Sequence, residues 1–339
     1  MTATVADPVA RHRDRVLGAL LAALPRGEPA SHLYDLLPQY PARPSKAIRP
    51  ALLMATCAAL GGDEERALPF AVGVEMLHNA FLIHDDITDG SGSRRGEPTL
   101  VATHGIGLAL CAGNTLATEA LAVLREASRG RGSATAEAVT AEVETATRRT
   151  LEGQAMELGW DRDRRVDVTV ADYLDMIRHK TSWYSTILPC RLGALAAGRT
   201  LSDRTFVRFG ALVGAVLQIG DDLQSLTADR DASGEDFGDD VLEGKRTLAV
   251  VHHLSHGPAD GRARLVELLS RPREERSRDD AGWVTTLLRE HGSLAYAARA
   301  AHTLAAEARL EQLRELPGAR PSGSSVLAAV VDLLDDRVP

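Results

Sequence analysis

Helix-period apolar patterns run through most of the chain and constrain its fold more than any other feature. Stretches rich in Ala, Leu, Glu and Arg place apolar residues three and four positions apart, as in amphipathic helices. Gly, Pro, Ser or Asp separate them, and the alternating β-branched runs typical of strands are scarce. The pattern predicts helices over 7–24, 46–61, 66–89, 108–127, 134–158, 169–196, 203–228, 244–255, 260–270, 280–290, 294–314 and 323–335.

The predicted fold class is therefore all-α, a single-domain bundle of about ten to twelve helices around a central cavity. No linker divides the 339 residues, so one domain is expected over 1–339. It consists of an N-terminal helix and connection (1–40), a core that contains the polar motifs (41–255) and C-terminal helices (256–339).

A cluster of carboxylates ends one apolar stretch. Asp85, Asp86 and Asp89 lie within five residues, and Arg94 and Arg95 follow after a Gly/Ser break. On a helix, Asp85 and Asp89 would project from one face, about 6 Å apart along the axis. Like charges at that spacing oppose a bare helix, but a Mg²⁺ ion between them would offset the repulsion. The arginines would then bind phosphate oxygens that the metal leaves free.

A second pair of carboxylates, Asp221 and Asp222, ends another apolar stretch, FVRFGALVGAVLQIGDD. Two such helices can face one another across a bundle, and their carboxylates can then converge at one end of its cavity. Lys180 lies between the two motifs in the chain and could add a cation to the same site. Read alone, each of these features is more often an ordinary solvated helix end or surface lysine.

The ordered set DDITD, RRGEPT, GQAMEL, HKTSWYS, QIGDD and EGKRTL resembles the trans-isoprenyl diphosphate synthases, and most of all the geranylgeranyl diphosphate synthases. The resemblance covers roughly residues 40 to 255. It implies the isoprenoid synthase type I fold and a Mg²⁺-dependent prenyltransferase. Such an enzyme joins isopentenyl diphosphate to an allylic prenyl diphosphate, and three Mg²⁺ ions are expected in the substrate complex.

The resemblance also implies a role for each matching residue. The metal site is expected to contain Asp85, Asp86, Asp89, Asp221 and Asp222, with Asp86 in a supporting place. The allylic diphosphate site is expected to contain Arg94, Lys180, Thr181, Gln218 and Lys245. The isopentenyl diphosphate site is expected to contain Lys46, Arg49, His78 and Arg95.

Three departures from the family pattern stand out. Pro44 and Ser45 replace two glycines of the GGKRxRP segment, whose first arginine is also missing. Ser225 replaces the last acidic or amide residue of the second motif, and can still accept a hydrogen bond. Glu235 stands where the family usually has a lysine beside the allylic diphosphate. Two unit charges about 4 Å apart interact by roughly 4 kcal/mol at an effective dielectric near 20, so a glutamate that points at a phosphate would be costly. Glu235 is therefore expected to turn outward or to alter the site.

Three side chains that precede Asp85 on the same predicted helix are expected to form the wall that sets product length. Phe81 and Ala80 lie one helical turn back and Leu77 two turns back, and each turn spans about 5.4 Å, close to one isoprene unit. Farnesyl synthases of this family commonly have aromatic residues at −4 and −5. Ala80 opens the second of these positions, so a product longer than C15, with C20 favoured, is expected. Read without the motif, Leu77 and Phe81 are plain core residues.

Composition predicts the surroundings of the enzyme. The net charge of −8 argues against a nucleic-acid surface. The N-terminus has no secretory pattern and no long apolar run favours a membrane span, so a cytoplasmic protein without a stable membrane anchor is expected. A homodimer is implied by the resemblance alone.

Three other interpretations stay open at this point. A class I terpene cyclase shares the bundle and the aspartates, but needs no isopentenyl diphosphate site, so Lys46, Arg49, His78 and Arg95 argue against it. A non-catalytic regulatory subunit of another synthase would be expected to have an eroded first motif, and DDITD is intact. A structural bundle with incidental acidic helix ends would not explain six motifs in order.

Overall fold

Helices dominate the computed structural model, which describes residues 8–227 and 237–339. In these residues the α-helices are α1 (Pro8–Ala23), α2 (Ile48–Ala59), α3 (Glu64–Asp89), α4 (Leu100–Ser128), α5 (Ser133–Arg162), α6 (Val170–Ile177), α7 (Leu188–Ala196), α8 (Val207–Thr227), α9 (Asp239–Glu243), α10 (Leu248–His256), α11 (Ala259–Leu269), α12 (Arg278–Glu290), α13 (Ser293–Glu315) and α14 (Pro321–Asp335). Two π-helical segments (Ala30–Tyr34, Arg178–Ile187), a 3₁₀ turn (Arg273–Glu275) and two strands, β1 (Ser93–Arg94) and β2 (Glu97–Pro98), complete them.

The all-α prediction is confirmed, with fourteen α-helices in the described residues where about ten to twelve were expected. The difference has two sources. The stretch predicted as one helix over 169–196 contains a π-helical segment that separates α6 from α7. The short helix α9 begins within a stretch, ADRDASGEDFGDD, where only a break was predicted. The hairpin of β1 and β2 likewise lies within a predicted break.

The chain forms two compact units that alternate along the sequence. The first contains the described residues up to Ala146, together with Tyr184–Arg208 and Glu311–Val330. The second contains the described parts of Thr147–Trp183, Phe209–Leu310 and Val331–Pro339. The single-domain division of residues 1–339 and the central cavity stay predictions.

In the first unit, α3 packs on α4 and α2, and α2 packs on α7. The helices approach closely where a side chain is missing, since a Cβ on Gly73 of α3 would lie 2.5 Å from Leu124 of α4. Beneath the end of α3 is a cluster of buried side chains: Leu36, Leu37, Tyr40, Ala80, Ile83, Leu100, Ala109, Ala112 and Leu116. This packing fixes the helix end that carries the first aspartate motif.

The second unit has its own core, to which α5, α6, α8 and α10 to α13 contribute. Tyr173 of α6 and Ile219 of α8 are both fully covered in it. The second aspartate motif therefore lies on α8, a helix that is buried along one side.

Candidate active site

The first aspartate motif is the last turn and a half of α3. Asp63 caps the start of this helix by accepting a hydrogen bond from the Glu65 amide at 3.0 Å, and Gly90, at φ 60°, ends it. Asp85 and Asp89 are half-buried, and the last turn contains no basic residue. Carboxylates at the negative end of a helix dipole are unfavourable unless a cation lies nearby. The helix end therefore suits a bound cation with oxygen ligands.

Asp86 differs from its neighbours because protein groups surround it. It is buried, accepts a hydrogen bond from the Tyr40 hydroxyl, and forms a two-pronged ion pair with Arg94 at 2.7 and 2.6 Å. Burial and the Asp86 charge raise the pKa of Tyr40. Burial alone would lower the pKa of Arg94, but the pair with Asp86 raises it overall. Asp86 thus holds the basic turn in place, in keeping with a supporting role.

Arg94 and Arg95 lie on a hairpin in which Arg94 pairs with Glu97. Arg95 and Gly96 form the two-residue turn, with φ angles of 56° and 76°. Two-residue hairpin turns with both φ values positive match the twist of the strands, but the conformation is strained for any residue with a side chain. Burial lowers the pKa of Arg95, and Arg94, Arg49 and Arg43 lower it further, while Glu75 opposes them. Arg95 therefore lies within a group of cations.

Arg49 and His78 belong to the same group. Arg49, on α2, donates to the Ser185 hydroxyl at 2.8 Å and to the Tyr184 hydroxyl at 3.1 Å, and stacks 4.9 Å from the centre of the Tyr184 ring. His78, on α3, is buried with its ring 6.0 Å from that of Tyr184. Burial, with Arg49 and Arg95, keeps the pKa of His78 well below its usual value, so the imidazole is neutral.

The structure thus brings Arg49, Arg95 and His78, three of the four predicted isopentenyl diphosphate residues, into one electrostatic cluster. The fourth, Lys46, is exposed two residues before α2 begins. The Nδ1 atom of His78 is buried and has no hydrogen-bond partner among the described residues. A neutral donor beside several guanidinium groups suits an anionic ligand with oxygen acceptors.

Glu75, one turn before His78, was missed by the sequence analysis. It is 2% exposed, and its Oε2 atom has no hydrogen-bond partner among the described residues. Burial raises its pKa, and the charges of Arg49 and Arg95 act in the opposite direction. A glutamate three residues before a histidine shares its helix face, which is the only sequence signal that could have revealed it.

The second unit holds the second aspartate motif in a chain of hydrogen bonds. The Thr181 hydroxyl donates to Gln218 at 2.7 Å, Gln218 donates to Asp222 at 2.8 Å, and the Tyr173 hydroxyl donates to the other oxygen of Asp222 at 2.7 Å. Burial and the carboxylate of Asp240 raise the pKa of Asp222 to about 7, although both hydrogen-bond donors lower it. Thr181 and Gln218 therefore lie together, and Gln218 links Thr181 to Asp222.

Asp221 faces a different environment from Asp222. Its side chain is 48% exposed, and the guanidinium of Arg337 donates to it at 2.6 Å. The same guanidinium donates to Gln224 at 2.7 Å. The guanidinium of Arg337 therefore lies against the leading aspartate of this motif, whose role as a metal ligand stays a prediction.

The two predicted lysines of this unit are both paired with carboxylates. Lys180 bonds to Glu157 of the GQAMEL segment, and Lys245 lies 3.2 Å from Asp240 and 2.5 Å from Glu243. α5 can approach Lys180 only because Gly153 lacks a side chain: a Cβ there would lie 2.1 Å from the Lys180 backbone nitrogen. The GQAMEL segment thus contacts Lys180 in two ways, through close packing at Gly153 and through an ion pair at Glu157.

The residues of the predicted wall point in different directions. Leu77 and Ala80 are buried, and Ala80 belongs to the cluster that includes Ala112 of α4. Phe81 is half-buried, with its ring edge-on to Tyr184 at 5.1 Å. Ala80 therefore lies in a buried cluster to which α3 and α4 both contribute.

Of the two departures in the second motif, only Ser225 is described. Its backbone oxygen accepts a hydrogen bond from Gly238 at 2.8 Å, and its hydroxyl is buried without a hydrogen-bond partner among the described residues. Glu235 lies outside the described residues. The effect of that departure stays a prediction.

The aspartates suit Mg²⁺ by their chemistry. They provide hard oxygen donors at a helix end without basic residues, and at a position that already attracts a guanidinium. Within 8–227 and 237–339, no group of three His, Cys, Asp or Glu side chains could hold a metal ion alone. An ion here would therefore need ligands from water and phosphate, as is usual for Mg²⁺. The predicted meeting of the two motifs joins residues of both units and stays a prediction.

Two aspartate-rich helix ends and a separate cluster of cationic side chains are what the sequence analysis expects of a trans-isoprenyl diphosphate synthase. A family model described as polyprenyl synthetase matches residues 30–284. The geranylgeranyl diphosphate synthase of Saccharolobus solfataricus is 32% identical over 282 residues, which cover 83% of each chain. The geranylfarnesyl diphosphate synthase of Aeropyrum pernix is 31% identical over 298 residues, covering 86% of this chain and 90% of its own.

Among solved structures, a geranylgeranyl pyrophosphate synthetase from Pyrococcus horikoshii superposes with a TM-score of 0.83 at 27% identity, over 97% of this chain and 98% of its own. The chain belongs to the polyprenyl synthetase family. It is a trans-prenyltransferase that elongates prenyl chains, which confirms the predicted function and fold. Synthases of this family use isopentenyl diphosphate and an allylic diphosphate, and they generally depend on Mg²⁺.

Proposed function

We propose that this enzyme condenses isopentenyl diphosphate with an allylic diphosphate, head to tail, to give geranylgeranyl diphosphate (C20). The observation that supports it best is the cluster of Arg49, Arg95 and neutral His78, because it suits a second diphosphate beside the one that ionises. A cyclase acts on a single prenyl diphosphate and has no use for such a cluster.

We assign the metal to Asp85, Asp89 and Asp221, with Asp86 and Asp222 behind them. Three Mg²⁺ ions would neutralise much of the charge of about six on two diphosphates and so favour departure of the allylic one. Asp86 and Asp222 support them from buried positions, the first through Arg94 and the second through Gln218. Mg²⁺ on Asp221 would replace the contact of that carboxylate with Arg337.

The cationic side chains bind and orient the two substrates. We assign Lys180, Thr181, Gln218, Lys245 and Arg94 to the allylic diphosphate, and Lys46, Arg49, His78 and Arg95 to isopentenyl diphosphate. The allylic C–O bond breaks, and the double bond of isopentenyl diphosphate forms the new C–C bond. The product then loses one proton, which the released diphosphate can accept. The side chains exclude water from the allylic cation, which water would convert to an alcohol.

The C20 product length rests on Ala80. It is fully buried beside Ala112, so the side of α3 that faces α4 lacks an aromatic group at this position. The ring of Phe81 is held against Tyr184 instead, and Leu77 lies two turns back. Relatives at similar identity are named for C15, C20 and C25 products, so the proposed length rests on Ala80 and not on them.

We further propose a homodimer in which α4 meets its counterpart in a second copy. Ile106, Leu110 and Leu121 are 61%, 45% and 52% exposed, and their spacing puts them on one face of α4. Residues 100–118 contain no Asp, Glu, Lys or Arg. A contiguous apolar face of this kind is typical of an interface between copies.

The length and composition of α3 and α4 would also allow each to cross a membrane, although the sequence analysis found no such run. In α3, 72% of the most apolar window is buried inside the protein, and in α4 only 28%. The Leu110→Glu variant and a lipid-binding assay together distinguish a second copy of the chain from a membrane as the partner of the exposed α4 face. Light scattering should show a dimer for wild type and for Leu313→Glu, a control at a 68% exposed position, and a monomer for Leu110→Glu. Flotation of wild type with lipid vesicles would contradict the dimer proposal and the cytoplasmic location that we propose with it.

The substrate assignments are tested with two variants in one assay. Asp85→Asn should abolish turnover of both substrates, whereas Arg95→Gln should raise the KM for isopentenyl diphosphate by about tenfold and leave that for the allylic substrate within about twofold. Arg165→Gln, an arginine paired with the exposed Asp167, serves as the control. Equal effects of Arg95→Gln on both KM values would contradict the assignment of the cluster to isopentenyl diphosphate.

A further inference from the structure

Arg43 lies just before the GGKRxRP-like segment and has no role in any of the motifs. Its side chain is only 3% exposed, yet it makes several polar contacts. It donates to the backbone oxygen of Arg94 at 3.1 Å and to that of Pro98 at 2.6 Å. Its Nε atom lies 3.5 Å from the carboxylate of Glu97, and its guanidinium lies 4.4 Å from the centre of the Tyr40 ring.

These contacts fasten both strands of the basic hairpin. Arg94 is on β1 and Pro98 is on β2, so a single side chain spans the hairpin. Each strand has only two residues, and an isolated hairpin of this length is not stable in water. Arg95 adds strain because a residue with a Cβ occupies a positive-φ position of the turn. The conformation of Arg95 therefore depends on contacts from outside the hairpin.

A closed ring of contacts supplies that support. Arg43 stacks on Tyr40, the Tyr40 hydroxyl bonds to Asp86, Asp86 pairs with the side chain of Arg94, and the backbone of Arg94 returns to Arg43. The ring holds Arg94 by both its side chain and its backbone, and Arg95 is the next residue in the chain. Its charge influences the pKa values of Glu75 and His78, so Arg95 belongs to the same electrostatic environment as these two residues of α3.

We infer that Arg43 is a positioning residue for the reaction: it holds the strained Arg95 turn so that Arg95 meets the diphosphate of the isopentenyl substrate. The planar guanidinium suits this task, because it can donate to two carbonyls at a fixed separation, whereas an ammonium group cannot reach both with the same geometry. The inference rests on the proposed role of the cluster around Arg95.

Arg131 provides a matched control in the same unit. It also donates to two backbone oxygens from different segments, those of Ala196 and Arg66, both at 2.9 Å. It also stacks on an aromatic ring, that of Phe70, at 5.0 Å. It touches none of the residues assigned to substrate or metal. Loss of either arginine removes the same kinds of contact, but only Arg43 connects to the hairpin.

The test compares Arg43→Met and Arg131→Met with wild type in steady-state kinetics. Arg43→Met should raise the KM for isopentenyl diphosphate by at least about tenfold, with the KM for the allylic substrate within about threefold of wild type. Arg131→Met should leave both KM values unchanged, even if it lowers the melting temperature as much as Arg43→Met does. Arg43→Lys should give an intermediate KM for isopentenyl diphosphate, because its ammonium group keeps the charge and one of the two bonds.

A second readout reports on the hairpin directly. Brief trypsin digestion, followed by mass spectrometry, should show faster cleavage after Arg94 and Arg95 in Arg43→Met than in wild type or Arg131→Met. Unchanged KM values and unchanged cleavage in a folded Arg43→Met protein would overturn the inference. That outcome is distinct from failure of the proposed function, in which wild type itself would incorporate no isopentenyl diphosphate.

Discussion

Removal of the Arg337 guanidinium should make the enzyme more sensitive to Mg²⁺. In the structure this group donates to Asp221 at 2.6 Å and to Gln224 at 2.7 Å. A metal ion that binds Asp221 must displace it, so Arg337 competes for the carboxylate. Arg337→Gln keeps a polar side chain of moderate length but removes the charge.

The size of the effect follows from the exposure of the pair. The Arg337 side chain is 15% exposed and that of Asp221 is 48% exposed, so water and salt screen their attraction. Pairs of this kind contribute up to about 1 kcal/mol. Loss of about 1 kcal/mol of competition corresponds to an approximately fivefold lower dissociation constant for Mg²⁺. We therefore expect the half-saturating Mg²⁺ concentration to fall between about twofold and fivefold.

The assay is a Mg²⁺ titration of the initial rate at saturating substrates, paired with the Mg²⁺-induced shift in melting temperature. Arg309→Gln is the control, because Arg309 also joins carboxylates in this unit, at Asp332 and Asp335, but does not touch Asp221. A half-saturating concentration that is unchanged or higher in Arg337→Gln would refute the reasoning. A higher value would mean that Arg337 assists substrate or metal binding instead.

Three further predictions concern buried positions. Without Mg²⁺, stability should fall as the pH rises from about 4 to 7, because folded Asp222 keeps its proton up to a pKa of about 7 while the unfolded chain releases it near 3.8. Melting curves from pH 5 to 8 should show that slope in wild type and a flatter one in Asp222→Asn. Ala80→Phe should lower the melting temperature and shorten the product, and an unchanged prenol profile would contradict the wall assignment. Gly153→Ala should cost about 1–3 kcal/mol and raise the KM for the allylic substrate, because its Cβ would displace Lys180; denaturant unfolding and allylic kinetics would check both.

The helices could be predicted well because apolar periodicity is a local signal. The predicted boundaries 66–89 and 134–158 compare with Glu64–Asp89 and Ser133–Arg162 in the structure. The π-helical segment Arg178–Ile187 could not be predicted, since a π-helix differs from an α-helix in its backbone hydrogen bonds and carries no separate sequence signal here. The hairpin was missed because it depends on Arg43, which lies some fifty residues away in the chain.

The same reasoning explains which site residues the sequence could reveal. Asp85 and Asp89 stand out because two like charges at helical spacing need an explanation. Tyr40 and Tyr173 give no such signal, although each donates a hydrogen bond to a buried aspartate of one motif. Their partners lie 46 and 49 residues away, and single polar residues in apolar surroundings look like core. Arg337 was missed because Asp221 lies 116 residues away from it in the chain.

Transfer of isopentenyl diphosphate to an allylic chain is tested most directly with a labelled substrate. Deuterium-labelled isopentenyl diphosphate and an unlabelled C15 allylic diphosphate should be incubated with the enzyme and Mg²⁺, and the dephosphorylated products analysed by mass spectrometry. We expect a linear C20 prenol that contains one labelled isoprene unit, and no product when Mg²⁺ is removed. A cyclic C15 hydrocarbon without label, or label-free C15 alcohol alone, would contradict it.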